Sequence, residues 1–410
     1  MNLLKLEGVK MTEWNSATLA DVVELVIDYR GKTPKKLGSD WCNDGYRALS
    51  AKNIKTGQIV QEDAIRYVDE KLYCKWMKEE IKRGDILITS EAPFGQIYYW
   101  DSDEKIVLSQ RLFAIRIKKE FDASYVYQYM TTPLFYEEMS ARATGTTVIG
   151  LRQPELMKCK IKYPNIETQR RISAILCAID RKRHNNMLIN DNLEQQAEAL
   201  FQHLFIDNVS TDWSEGILSD LGTIVGGSTP SKAKPEYYTA KGIAWITPKD
   251  LSINRSKFIT HGENDITELG LKNSSASIMP EGTVLFSSRA PIGYIAIAAG
   301  KVTTNQGFKS VIPKADVGTA FVYYFLKHNL PIIEGMASGS TFKEVSGSTM
   351  KSVPAVIPDR ETLRKFSDLC APIFAQQRTL ENQNQSLVAL RDSLLSKLMS
   401  GEIDVSDIQL

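Results

Sequence analysis

Residues Ile88–Ile97 read ITSEAPFGQI, and residues Phe286–Ile295 read FSSRAPIGYI. In each, a proline pre-sets one backbone angle of a turn, and the glycine two residues later (Gly95, Gly293) tolerates the conformation that closes it. The segments leading in, GDILIT from Gly84 and GTVLFS from Gly282, are rich in β-branched and apolar residues. That composition suits strands half buried in a sheet, so a hairpin is predicted at both places.

The two hairpins lie 198 residues apart, and the register continues in both directions. Upstream, TEWNSATLADV from Thr12 matches TDWSEGILSDL from Thr211, GKTPKK from Gly31 matches GSTPSK from Gly227, and ALSAKNI from Ala48 matches WITPKDL from Trp245. Downstream, Ser109-Gln110 matches Asn305-Gln306, Gly145-Thr146-Thr147 matches Gly339-Ser340-Thr341, and IETQRRI from Ile166 matches RETLRKF from Arg360. The chain is a tandem duplication. Its 410 residues exceed one ordinary core and suit two or more domains, and the long repeat argues against a solenoid of short units.

Each repeat divides again, into a mixed segment of short strands and Gly/Pro turns followed by a long segment without such punctuation. Counting from Ile172 in alternating steps of four and three passes Leu176, Ile179, Arg183, Asn186, Asn190, Leu193, Ala197, Leu200 and Leu204. The second copy passes Phe366, Cys370, Ile373, Gln377, Leu380, Asn384, Leu387, Arg391, Leu394 and Leu398. Apolar ends with a polar middle describe a coiled-coil seam in which the polar positions set register. A helix of about 40 residues spans about 60 Å, and pairing two of them within one chain is most easily antiparallel. The competing reading packs each helix on its own domain. Pro372 should kink the second helix or mark where its main part begins.

Net charge is +1, so total charge decides nothing about nucleic acid. Five scattered cysteines without a C-x-x-C pair fit a reducing cytoplasm and no structural zinc. No apolar run reaches membrane-span length and no signal-peptide pattern opens the chain, so a soluble intracellular protein is expected. Phosphate-loop, zinc-protease and nucleophile-elbow motifs are missing, as is an Asn-Pro-Pro-aromatic tetrapeptide. His184 and His203 fall on the first long helix, and His261 and His328 have no counterpart in the other repeat. Asp103-Glu104-Lys105 imitates a nuclease D-x-K element, a frequent pattern by chance.

Residues suited to binding DNA recur in the loops. Arg30, Lys32, Thr33, Lys35 and Lys36 crowd one segment, answered by Ser228, Thr229 and Lys232. Ser50, Lys52 and Asn53 correspond to Thr247, Lys249 and Asp250. Gln110, followed by Arg111, corresponds to Gln306, with Asn305 and Lys309 near it in the chain, and Thr146 and Thr147 correspond to Ser340 and Thr341, with Lys343 close behind. Lysine neutralises phosphate, glutamine bonds adenine bidentately, and backbone near Gly145 or Gly339 can approach a phosphate closely. On the hairpins, Ser90-Glu91 stands where the other copy has Ser288-Arg289. Tips entering a groove would favour guanine through Arg289 and the amino group of cytosine through Glu91.

Two globular halves with TP, AP-x-G and [SN]Q motifs, each followed by a long helix, resemble the specificity subunit of type I restriction-modification systems over nearly the whole chain. The resemblance implies an α+β fold with internal pseudo-two-fold duplication: two tandem mixed α/β target recognition domains joined by two long antiparallel helices forming an intramolecular coiled coil. Its domains would be residues 12–163 and 211–357, with helical spacers at 164–210 and 358–410. It further implies no catalysis and no cofactor in this chain. The expected partners are double-stranded DNA, two methyltransferase subunits carrying S-adenosylmethionine, and restriction subunits using ATP and Mg, with no membrane. A rigid spacer predicts two short half-sites around a fixed gap, unequal because the tips differ. The alternatives are a stand-alone DNA-binding regulator, which would bind tightly by itself; a nuclease or methyltransferase, which would bind metal or S-adenosylmethionine; and a coiled-coil adaptor.

Overall fold

A computed structural model describes residues 14–145, 148–339, 343–405 and 408. It forms two compact units, one of residues 1–182 with 387–410 and the other of residues 183–386.

In the first unit, strands Val23–Asp28, Leu112–Ile117, Ile86–Thr89 and Ile97–Tyr99 form one antiparallel sheet in that spatial order. A second sheet orders Arg66–Val68, Tyr46–Leu49 and Ile106–Leu108, the last pair parallel. The other unit repeats both plans. Strands Gly222–Gly226, Lys309–Pro313, Val284–Ser288 and Ile292–Ala298 follow the first order and gain Phe258–Ile259 at the edge. Strands Asn264–Ile266, Ile243–Ile246 and Thr303–Thr304 follow the second, with Tyr238–Thr239 added. Asn15–Thr18 pairs with Lys160–Tyr163, and Ser214–Ile217 pairs with Pro354–Ile357.

The strands leading into the hairpins are buried on both faces, not half buried as their composition suggests. Successive strand side chains point to opposite faces. Accordingly Ile86 and Ile88 enter one core cluster while Leu87 enters another, and Val284 and Phe286 part from Leu285 in the same way. A helix covers the first face in each case, Ala123–Met130 or Thr319–His328.

The long helices run Ile166–Gln202 and Arg360–Ser400, and the boundary between the units crosses both. Asn165 caps the first by accepting the amide of Thr168, and Asp359 caps the second through the amide of Thr362. Within the first unit, Ile172 and Leu176 share a core with Leu395, Leu398 and Met399, and Asp180 meets Arg391 at 3.0 Å. Within the second, Ala197 and Phe201 share a core with Phe366 and Cys370, and Asn186 donates to Asn384 at 3.0 Å. Numbers rise along one helix as they fall along the other, so the pairing is antiparallel in each unit.

The heptad positions behave as counted: Ile179, Asn186 and Leu380 are buried, and Asn190, Leu193, Leu200, Ile373, Leu387 and Leu394 are partly buried. Leu204 lies just past the α-helix, in a π-turn at His203–Asp207. Pro372 neither ends nor begins the second helix, which continues on both sides of it. The carbonyl it cannot serve belongs to Asp368, and both residues are exposed, so solvent satisfies that oxygen.

Candidate nucleic-acid interface

The two hairpins share one backbone. Both Ala-Pro bonds are cis, both alanines have positive φ (45° and 48°), and Gly95 and Gly293 sit at 69° and 97°. Beneath each tip a serine bridges to the neighbouring turn. The amide and hydroxyl of Ser90 donate to the carbonyl of Arg111 at 2.9 and 3.3 Å, and those of Ser288 donate to Gly307 at 2.8 and 3.1 Å. Both serines are buried. Assigning Ser90 and Ser288 to DNA is therefore corrected: leaving these bonds would strand buried polar groups.

Asn53 and Asp250 are corrected for the same reason. Asn53 accepts from the amide and hydroxyl of Ser50, and Asp250 from those of Thr247, while Asp250 also accepts the amide of Glu263 at 2.8 Å. These are capping boxes that hold Lys52 and Lys249 outward on short turns. Gly95 and Gly293 belong to the frame as well. A side chain at Gly293 would meet Leu330 at 2.6 Å.

In the first unit the structure gathers Arg30, Thr33, Lys36, Glu91, Gln110 and Arg111 around a cleft of about 890 Å³, together with Arg152 and Gln153. Four cations against two carboxylates (Asp28 and Glu91) leave its lining at +2. Ser50 and Lys52 line an adjoining cleft of about 310 Å³ that shares the wall made by Gln110 and Arg111. Lys35 is exposed. Lys32 does not line either cleft: its ammonium donates to the carbonyl of Trp76 at 2.6 Å, and burial, then the charge of Lys78, push its pKa below the ordinary lysine value. Arg30 is held by Asp28 and lies over the ring of Phe113.

In the second unit Thr229, Lys232, Thr247, Lys249, Asn305 and Gln306 line a cleft of about 530 Å³ with Tyr238 and Trp245. Two lysines against Asp250 and Glu263 leave this lining neutral, and Lys249 pairs with Glu263 at 2.6 Å. Ser228 fixes the cleft from behind, its carbonyl accepting the Trp245 indole at 3.0 Å. Arg289 and Lys309 lie outside this lining and both face Glu344, at 3.4 and 3.7 Å. Lys343 is exposed beside them. Thr146, Thr147, Ser340 and Thr341 fall outside the described residues; among the described ones, Gly150 bridges Glu91 and Thr144, and Glu344 bridges Arg289 and Ser338.

The hairpin tips are not the free probes expected. Glu91 meets Arg111 at 3.0 Å, as Arg289 meets Glu344. Arg152 escapes sequence reasoning because Ser346 replaces it in the other repeat, so recurrence gives no signal. The D-x-K imitation is surface pairing, Asp103 with Arg83 at 3.0 Å and Lys105 with Glu80 at 2.8 Å. Among the described residues, no cluster of His, Cys, Asp and Glu could hold a metal, and no helix is long and apolar enough to cross a membrane.

A family profile described as the type I restriction modification DNA specificity domain matches residues 11–195 and again residues 210–387. This chain belongs to that family. As a DNA specificity chain it recognises sequence within a restriction-modification system and has no catalytic part of its own. It is 25% identical to the type I restriction enzyme HindI specificity subunit of Haemophilus influenzae, over 80% of this chain and 88% of that one. It is 39% identical to the MjaIX specificity subunit of Methanocaldococcus jannaschii over 46% of this chain, an alignment that spans only 44% of the relative. A solved S subunit from M. genitalium shares the fold with a TM-score of 0.60 at 15% identity, covering 96% of this specificity chain and 98% of the other.

Proposed function

We propose that this chain reads an asymmetric bipartite site on double-stranded DNA and directs partner subunits to methylate adenine or cleave there. Residues 12–163 and 211–357 act as the two readers, and residues 164–210 and 358–410 as spacer and docking surface. The observation that carries the asymmetry is one frame with two linings: the turns at Ser50–Asn53 and Ser109-Gln110 line a basic cleft, with Lys52, Arg66 and Arg111 and no carboxylate, whereas the equivalent turns at Thr247–Asp250 and Asn305-Gln306 line a neutral one, with Lys232 and Lys249 against Asp250 and Glu263. Lys35, Lys36, Lys52 and Arg152 supply phosphate contacts in the first half, and Gln110 and Gln306 supply base contacts. Lys232, Lys249 and Lys343 serve the second half.

So neutral a second cleft binds DNA weakly by itself. Two methyltransferase subunits complete the clamp and bring S-adenosylmethionine, and restriction subunits bring ATP and Mg chemistry, all in the cytoplasm. Co-expressing the chain with the methyltransferase encoded beside it and mapping modified adenines tests the reading. A single motif of two unequal short blocks around a fixed gap is expected. A complex that forms and adds no methylation would overturn it in favour of a stand-alone regulator.

A further inference from the structure

Arg111 holds a backbone conformation that an arginine rarely adopts, with φ at 62°. The left-handed region is uncommon for any residue but glycine, and such positions cluster at ligand sites where the surroundings over-determine them. The surroundings here do so. Both Ser90 bonds grip the Arg111 carbonyl, the amide of Ala51 holds the carbonyl of Gln110 at 3.1 Å, and the amide of Leu151 holds the carbonyl of Ser90 at 3.0 Å. In the other repeat glycine stands at this place, Gly307, with the same two serine bonds but without a positive φ, so those bonds alone do not impose the conformation that Arg111 holds. The frame therefore does not need an arginine.

Nor does the ion pair with Glu91 explain it. Both side chains are well exposed, 51% and 38%, and pairs in that setting contribute little stability. The contact uses Nε, and neither terminal guanidinium nitrogen has a hydrogen-bond partner in the described structure. Arg111 lines both clefts of the first unit. A fork so placed, fixed at its inner nitrogen by a carboxylate and open at its outer end, has the donor pattern that meets O6 and N7 of guanine in the major groove.

Resting on the DNA-reading function above, we propose that Arg111 determines specificity for one guanine in the first half-site, with Glu91 as its positioning residue and not itself a reader of cytosine. The second repeat presents its guanidinium from a different place, the tip residue Arg289 braced by Glu344, with glycine at 307. Whatever base the second half-site offers to an arginine thus falls at a different position of that block.

The experiment co-expresses the methyltransferase with wild-type chain, Arg111→Gly, Arg111→Lys or Glu91→Gln, and maps adenine methylation. Thermal melting verifies that Arg111→Gly is folded, as the glycine of the other repeat leads one to expect. Wild type should show a guanine in one block. Arg111→Gly should relax that position alone, reducing discrimination there by roughly 5- to 150-fold, with the second block and the gap unchanged. Arg111→Lys should relax it too, because an ammonium keeps the charge but loses the fork, and Glu91→Gln should relax it partly. Unchanged stringency in Arg111→Gly, full stringency in Arg111→Lys, or a uniform loss of methylation at all bases by a folded Arg111→Gly would overturn the assignment and leave the DNA-reading function standing. Failure of the wild type to give any bipartite motif would instead remove the function on which the inference rests.

Discussion

Replacing Lys257 should destabilise the second unit more than any surface change, because its ammonium is buried among partners drawn from three elements. Only 5% of the side chain is exposed. It pairs with Glu194 on the first long helix, donates to Gln377 of the second at 2.8 Å, and donates to the Tyr324 hydroxyl at 3.0 Å. The ring of Phe374 lies 4.3 Å away. Burial pushes the Glu194 carboxyl upward, but Lys257 and Lys327 hold it below its ordinary value, so it stays ionised and needs its cations. Removing one member of a buried pair costs about 3–5 kcal/mol. For a unit of this size that is a fall in melting temperature of roughly 10 °C. Lys257→Met keeps the volume and should show most of this loss. Lys257→Met combined with Glu194→Gln should recover much of it, since the acid that pairs directly with Lys257 is neutralised with it, Glu381 keeps the amides of Lys257 and Phe258, and Lys327 retains Glu198 at 3.0 Å. Thermal and urea unfolding of the four members of this cycle give the coupling. If Lys257→Met melts within about 1 kcal/mol of wild type, or if the double variant is no better than the single one, the buried-charge argument fails.

Three other outcomes are expected. Asp359 is held down to about 2 by the amide and hydroxyl of Thr362 and by the Trp213 indole at 2.9 Å. Its contribution is present above the usual carboxylate range and lost as pH falls through about 2, so Asp359→Ala should cost about 1 kcal/mol at neutral pH in melting experiments and nothing at strongly acid pH. Asn186→Leu alone should lower the melting temperature by leaving Asn384 unpartnered in the seam, whereas Asn186→Leu with Asn384→Leu should raise it above wild type. Deleting one helical turn from both long helices should alter the gap in the methylation motif while both blocks keep their letters; an unaltered gap would refute the spacer reading.

The duplication, the hairpins and the helix seam were legible because each leaves a period or an offset in the chain. Pairings that join distant residues were not. Glu91 with Arg111, Arg289 with Glu344 and Lys257 with Glu194 are tertiary contacts with no local pattern. Polar loop residues misled in a systematic way: a capping serine or asparagine has the same chemistry as a base-reading one, and only burial separates Asn53 and Asp250 from Lys52 and Lys249. The Lys257 site did leave one trace, since Gln377 is a polar residue at a heptad position that is fully buried, and such a position calls for a partner.

Each unit fills its own core clusters, with no residue common to those of the first unit and those of the second. Substitutions in one cleft thus change none of the residues that fill the other unit's core clusters, and their effects are expected to add. A duplicated reader built this way is combinatorial: a handful of variants of one half and a handful of the other multiply into many distinct addresses, and a change of address demands no second change to restore folding.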